Sequence, residues 1–330
     1  MKDELNKRNI IEDGLLGFAV GDALGVPVEF TSRESRKNKP VTDMMEYGSH
    51  NVPEGTWSDD TSMTIACMDS ISELEEIDYD DIMKRFCDWA IKADYTATDI
   101  LFDIGITTSK AISNYYRKGI PAIESGLTNE RSNGNGSLMR MLPIAAYLYQ
   151  NKLDETEEVE IVNNISSLTH AHEISKLGCK IYCDYMKELY DGKTSREAYK
   201  TIQNIDYNKY YSKETIDKYN RILKQDISKI PEKDISSSGY IVSTLEASIW
   251  CTLNSNSYKE AVLKAVNLGD DTDTVGAIVG GINGTIYGKN NIPKEWLSKL
   301  KKENYLEDIA KKYSETLKKN KDRTINHKTR

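Results

Sequence analysis

The chain has 330 residues, 38% of them hydrophobic and 29% charged, as in a soluble globular protein with material for one large domain or two ordinary ones. Its net charge of −8 argues against a general nucleic-acid binder, and no apolar run approaches the ~20 residues of a membrane-spanning helix. Glu12, Asp13 and Asp22 flank GLLGFAV and spoil it as a secretory leader, and the five scattered cysteines lack zinc spacing, so free buried thiols in a reducing cytoplasm are expected.

The first predicted element, DGLLGFAVGDALG (13–25), has helical apolar spacing but carries glycines that each cost about 1 kcal/mol against alanine in a helix interior. Glycine accepted inside a helix implies close backbone approach. TVGAIVGGINGTIYG (274–288) has the same character, so the two segments are predicted to pack together and to join both ends of the chain in one domain. Between them, GDALGVPVEF presents Glu29 just after Pro27, and GTWSDDTSM (55–63) places Asp59 and Asp60 at the mouth of a helix on which Ile65, Met68 and Ile71 recur. Ile82, Phe86 and Trp89 mark the next helix.

NGNGSLMRMLPIA (133–145) is a glycine-rich polar loop running into an apolar segment, and SLTHAHEIS carries His170 and His172. Residues 187–235 are rich in Lys, Tyr, Asp and Ser, weakly periodic, and predicted to be a peripheral insertion. GKTS (192–195) superficially resembles a phosphate loop, but Lys187 stands where that motif needs glycine. Leu245, Ile249 and Leu253 mark a further helix. From Lys311 the chain turns basic, and 311–330 is predicted to be a frayed, dispensable tail on a domain spanning 1–310. Strand-like alternation is scarce, so the expected fold class is all-α.

NLGDDTDTVG crowds Asp270, Asp271 and Asp273 against residues that can only be buried. A single acid at a helix start is explained by N-capping and the helix dipole. Two helices that each begin with two or three acids go beyond that, and Asp clusters beside Ser and Thr hydroxyls are what Mg²⁺ or Mn²⁺ prefers. NGNGS is either a simple turn or a cradle of backbone amides for phosphate. His170 and His172, two apart on a predicted helix, do not share a face for joint metal ligation. His170 is either a substrate contact or a hydrogen-bonded helix-end histidine.

Together GFAVGDALGVPVEF, GTWSDDTSM, GNGSLMR, LTHAHEIS, GYIVSTLEASIW and AVNLGDDTDTVGAIVGGINGTIYG resemble the ADP-ribosylglycohydrolase family, in the family's order from about residue 10 to 290. The resemblance implies a compact all-α fold, a binuclear Mg²⁺ or Mn²⁺ centre, and cleavage of the N- or O-glycosidic bond between ADP-ribose and a protein side chain or related acceptor. It implies Ser58, Asp59, Asp60, Asp271, Asp273 and Thr274 as metal ligands and Glu29 beside the substrate ribose. Gly134, Asn135, Gly136 and Ser137 would approach the pyrophosphate, His170 would contact substrate, and Gly239 and Tyr240 would lie near the nucleotide. The partner would be an ADP-ribosylated protein or other ADP-ribosylated acceptor, bound by a monomer. The chemistry passes through an oxocarbenium-like state, with Glu29 or Asp60 handling protons.

One position departs from the pattern: Asp270 stands where the family usually has glycine, adding an acid beside the metals. Two other readings stay open. One is a catalytically inactive ADP-ribose-binding or structural relative. The other is a metal-dependent phosphohydrolase, since DTDTV looks like an aspartate-nucleophile motif, although that motif should follow a buried β-strand.

Overall fold

The computed structural model describes residue 5 and residues 7–328, with side chains to residue 320. The chain folds into helices, many of them opened by polar caps: α1 Ile10–Gly25, α2 Arg33–Asn38, α3 Asp59–Leu74, α4 Tyr79–Lys92, α5 Ile106–Lys118, α6 Leu142–Asn151, α7 Glu155–Ser167 and α8 Glu173–Tyr190. There follow α9 Ser195–Gln203, α10 Lys213–Lys218, α11 Asn220–Leu223, α12 Ile241–Leu253, α13 Tyr258–Val266, α14 Thr272–Tyr287, α15 Lys294–Lys299 and α16 Glu303–Lys328. Ser58 caps α3 and Asp78 caps α4, while Asp154 and Thr194 open α7 and α9 with full capping boxes. GKTS is therefore a helix start. Among the described residues β-structure is confined to isolated bridges, as an all-α fold requires.

The centre of the fold is the pair α1 and α14, in contact as the two glycine-rich stretches predict. A Cβ at Gly21 would lie 2.0 Å from the Gly276 carbonyl oxygen, and one at Gly280 would lie 2.1 Å from that of Gly17. No methyl group fits there, so the backbones touch. α1 is buried at almost every position, and α12, α13, α6 and α16 pack around the pair. The seam brings the start of α14, with its aspartates, beside the end of α1. All five cysteines are free and buried. No described helix is long and apolar enough to cross a membrane.

Residues 187–235 form short helices and turns on the flank of α8, peripheral as expected but not all surface. Tyr199, Tyr207 and Tyr219 are buried there, and their hydroxyls donate to Ile222 O (2.7 Å), Asp184 Oδ2 (3.0 Å) and Ile174 O (2.6 Å). Elements this short leave little periodicity to read. The frayed tail expected from Lys311 is corrected. α16 runs through it, Tyr313 and Leu317 are buried, and the Tyr313 hydroxyl donates to Pro143 O at 2.6 Å. The lysines form the solvated face of an amphipathic helix whose buried stripe they hid. The side chains of residues 321–330 lie outside those described.

Candidate active site

Asp22, in the last turns of α1, organises the start of α3. Its Oδ1 accepts from Ser58 Oγ at 2.8 Å, and its Oδ2 accepts from Ser58 N (3.0 Å), Thr61 N (3.2 Å) and Thr61 Oγ1 (2.7 Å). The cap of α3 is Ser58, whose Oγ accepts from Asp60 N at 3.3 Å. Asp59 and Asp60 follow it as helical residues, so capping does not account for them. Asp271 occupies the cap position of α14 but its side chain caps nothing; Oδ2 accepts from Asn135 Nδ2 at 2.7 Å instead. Helix starts alone leave the acids unexplained.

The seam then gathers them. Asp22, Asp60 and Asp273 offer oxygens within 4.8 Å of one another, as do Asp59, Asp103 and Asp273, and Glu29, Asp271 and Asp273. Thr274 Oγ1 donates to Asp60 Oδ2 at 3.2 Å across 214 sequence positions, and Ser58 Oγ lies 2.9 Å from the same oxygen. Asp60 Oδ1 is buried with no hydrogen-bond partner. Burial pushes Asp22 up to about 7, its four donors opposing. Asp59, Asp60 and Asp273 are driven well above the usual carboxylate range by burial and then by the charges of neighbouring carboxylates, Asp22 and Asp271 among them for all three. Carboxylate and hydroxyl oxygens, one of them unsatisfied, are the donor set of a hard divalent cation.

In front of the cluster lies a cavity of about 360 Å³. Its lining divides by charge into an acidic wall that includes Glu29, Asp59, Asp103, Asp271 and Thr274, and an uncharged wall that includes Gly134, Asn135, Gly136 and His170 along with residues 104–108. Ser58, Asp60 and Asp273 do not line it and are buried beneath the acidic wall. Glu29 is buried, with Oε2 held by His50 Nε2. Burial pushes its carboxyl up to about 7, the His50 hydrogen bond opposes, and the charges of Asp103 and Asp271 add. The Glu29 hydrogen bond in turn raises His50, whose ring lies between Phe30 and Phe102 at centroid distances of 5.8 and 5.3 Å.

The Gly134–Ser137 loop of the uncharged wall is held by its own contacts. Neither Gly134 nor Gly136 has a positive φ. Gly136 is needed for space instead, since a Cβ there would sit 2.6 Å from His170 Cε1. The amide of Asn135 donates to Gly239 O at 2.9 Å and is not free for a phosphate. Ser137 does not line the cavity; it is fully buried, with Oγ 3.3 Å from Cys179 Sγ and 2.9 Å from Ser166 Oγ. Gly239 and Tyr240 also lie off the lining, joined to the loop by the Gly134–Tyr240 bridge.

His170 and His172 sit in the connection between α7 and α8, not on a helix. His170 pairs with Leu127 in a bridge, and His172 caps α8, with Nδ1 accepting from Ile174 N at 3.2 Å. Asp270 does adopt φ +60°, but its side chain is exposed and belongs to none of the acidic groups. The expectation that it adds an acid beside the metals is corrected: Asp270 N donates to Thr31 O at 2.8 Å and Phe30 N donates to Asp270 O at 2.7 Å, a backbone clasp with the carboxylate turned outward. Asp22, His50 and Asp103 were missed. Asp22 carried a signal, a lone charge inside an apolar helix; His50 and Asp103 lie in irregular segments without one. DTDTV follows α13, not a strand, which removes the phosphohydrolase context.

A family model described as ADP-ribosylglycohydrolase matches residues 3–323. The chain is 31% identical over 299 residues to ADP-ribosylarginine hydrolase Tri1 of Serratia proteamaculans, covering 90% of this chain and 76% of that protein. It is 30% identical over 289 residues to the ADP-ribosyl-[dinitrogen reductase] glycohydrolase of Rhodospirillum rubrum, covering 86% and 88%. A solved structure titled an ADP-ribosylglycohydrolase-related protein complex superposes with a TM-score of 0.77 at 26% identity, covering 94% of this chain and 98% of that one.

Proposed function

The chain belongs to the ADP-ribosylglycohydrolase family of glycosidic-bond hydrolases, and on that premise we propose that it releases ADP-ribose from an ADP-ribosylated protein side chain with the help of two divalent cations. The observation that carries this reading is the convergence of acids from four distant segments in overlapping clusters at one cavity, with a buried, unpartnered Asp60 Oδ1 in the cluster that shares Asp273 with them. Ser58, Asp59, Asp60, Asp271, Asp273 and Thr274 would hold the cations, Mg²⁺ or Mn²⁺, and Asp22 would fix Ser58. When bound, these ions would supply positive charge that orients the distal ribose and favours attack by water.

The two walls sort the substrate by charge. Phosphate groups are repelled by Glu29, Asp59, Asp103 and Asp271, so the diphosphate belongs against the Gly134–Gly136 loop and His170. The distal ribose then falls at the acidic wall, where carboxylates stabilise the oxocarbenium-like state. Of the two candidate proton-handling groups, Glu29 lines the cavity and Asp60 does not, which supports Glu29 in that role and Asp60 as a ligand. His50 holds the Glu29 carboxyl in place. A cationic guanidinium suits the acidic side, and the Serratia relative is named for arginine, so arginine is the proposed acceptor.

The test is release of ADP-ribose from arginine-linked and serine-linked substrates in Mg²⁺, in Mn²⁺ and in chelator. Release from the arginine-linked substrate, lost in chelator, is expected. No release from either substrate with either metal would sink the reading.

A further inference from the structure

Among the described residues, the His170 ring has a hydrogen-bond partner on its Nδ1 side only. Its Nδ1 lies 2.8 Å from Thr169 Oγ1, and that oxygen accepts from Nη2 of Arg140 at 2.7 Å. All three residues are buried: Arg140 and Thr169 are fully enclosed and His170 is 2% exposed. Arg140 also donates through Nη1 to Ile165 O at 3.0 Å and stacks over Phe86, and no carboxylate is paired with it among the described residues.

The order of donors follows. A guanidinium only donates, so Thr169 Oγ1 is an acceptor toward Arg140. Its one hydrogen is then free to point at His170 Nδ1. Were Nδ1 protonated instead, two donors would face the threonine oxygen and its own buried hydroxyl hydrogen would have no acceptor, at the cost of an unsatisfied group. The proton of the neutral ring therefore sits on Nε2. That nitrogen lies on the cavity side, with the Cβ positions of Gly136 and Gly134 at 3.1 and 3.6 Å from it. Burial and the Arg140 charge both press the ring toward neutrality, down to about 3. The backbone is fixed as well: Leu127 N donates to Thr169 O at 3.0 Å, Ala171 N donates to Leu127 O at 2.9 Å, and His170 N donates to Ser166 O at 2.7 Å.

We propose that Arg140 and Thr169 are positioning residues that lock His170 in the neutral Nε2–H tautomer, making the cavity-facing nitrogen a permanent hydrogen-bond donor that selects a ligand oxygen able to accept. A phosphate oxygen qualifies; a donor-only group is rejected. The ligand half of this proposal rests on the function proposed above, whereas the tautomer does not.

Long-range ¹H–¹⁵N correlation on ¹⁵N-labelled protein reads the tautomer directly. The expected result is a protonated Nε2 and an unprotonated Nδ1 that stay unchanged from pH 8 to pH 5. A protonated Nδ1, or a ring that titrates in that range, overturns the lock. Thr169→Val keeps the shape and removes the hydroxyl. It should give mixed tautomers and weaken ADP-ribose binding about three- to tenfold, the worth of one hydrogen bond, raising KM more than it lowers kcat. Thr169→Ser should restore both. Thr169→Val with unchanged tautomer and affinity also overturns the proposal, and the wild-type spectrum decides even where that variant does not fold. If the wild-type ring is Nε2–H but millimolar ADP-ribose does not bind, the proposed function has failed and the lock stands.

Discussion

The two walls of the cavity come from different parts of the chain and do opposite things with charge. On one side Glu29, Asp59, Asp103 and Asp271 crowd together over buried Asp60 and Asp273. On the other, Gly134, Asn135, Gly136 and a neutral His170 offer no net charge, although a buried guanidinium stands behind them. Asn135 connects the two, its amide donating to Asp271 Oδ2 at 2.7 Å and Thr244 Oγ1 at 2.9 Å. On the proposed function the acidic wall would hold the cations and handle the proton, and the neutral wall would bind the diphosphate. Changes on the first should appear in turnover, and changes on the second in affinity.

Removing cations carries the largest expected effect. Chelator should bring turnover to background while the helical fold persists, and Asp60→Asn and Asp273→Asn should follow it. Because each variant removes one charge from a repulsive set, its metal-free melting temperature should be unchanged or higher. A large drop would give the cluster a purely structural role. Next, Glu29→Gln should lower kcat by about 10²–10⁴, the range of general acid–base catalysis, and leave ADP-ribose affinity intact. Loss of affinity without loss of kcat would erase the distinction between the walls.

Gly136→Val tests the neutral wall. With a Cβ already 2.6 Å from His170 Cε1, ADP-ribose affinity should fall about tenfold to a hundredfold, from the ~1–3 kcal/mol that overpacking costs. Cation binding, measured by calorimetry, should survive. Unchanged ADP-ribose affinity would make the loop a mere turn.

The pH dependence separates the walls without mutation. Asp22 and Glu29 rise on folding from 3.8 and 4.5 to about 7. The folded protein thus binds protons more tightly than the unfolded chain, and the stability this contributes is complete below pH ~4 and lost as pH rises to about 7. Metal-free protein should therefore melt lower at pH 7 than at pH 5, and millimolar Mg²⁺ or Mn²⁺ should reverse the trend. The smallest effect belongs to Ser137→Ala. Its hydroxyl faces Cys179 and Ser166, so ADP-ribose affinity should stay constant and stability should fall by ~1 kcal/mol.

The all-α class and the glycine-rich seam could be read from the chain because both are local patterns: apolar spacing marks a helix, and glycine inside one marks contact. The acids of α3 and α14 were legible for the same reason, since charge crowded at a helix start is visible in a few consecutive residues. The same local view failed where the partner was distant. The tail from Lys311 looked solvated until Tyr313 met Pro143. Ser137 looked like part of a cradle until its hydroxyl turned inward, and Asp270 looked like a sixth acid until its backbone clasped Phe30 and Thr31.

By itself, then, the sequence determined which helices form, which two must touch, and that the chain carries more negative charge at two helix starts than capping can use. Only the tertiary structure decided that Asp22, His50 and Asp103 join those acids, that Glu29 rather than Asp60 faces the cavity, and that Arg140 reaches His170 through Thr169. The physical reason is range. Propensity, capping and amphipathicity act over a few residues, whereas burial, repulsion between carboxylates and the direction of a hydroxyl hydrogen depend on neighbours that chain folding brings from far along the chain, as when Thr274 meets Asp60 across 214 positions.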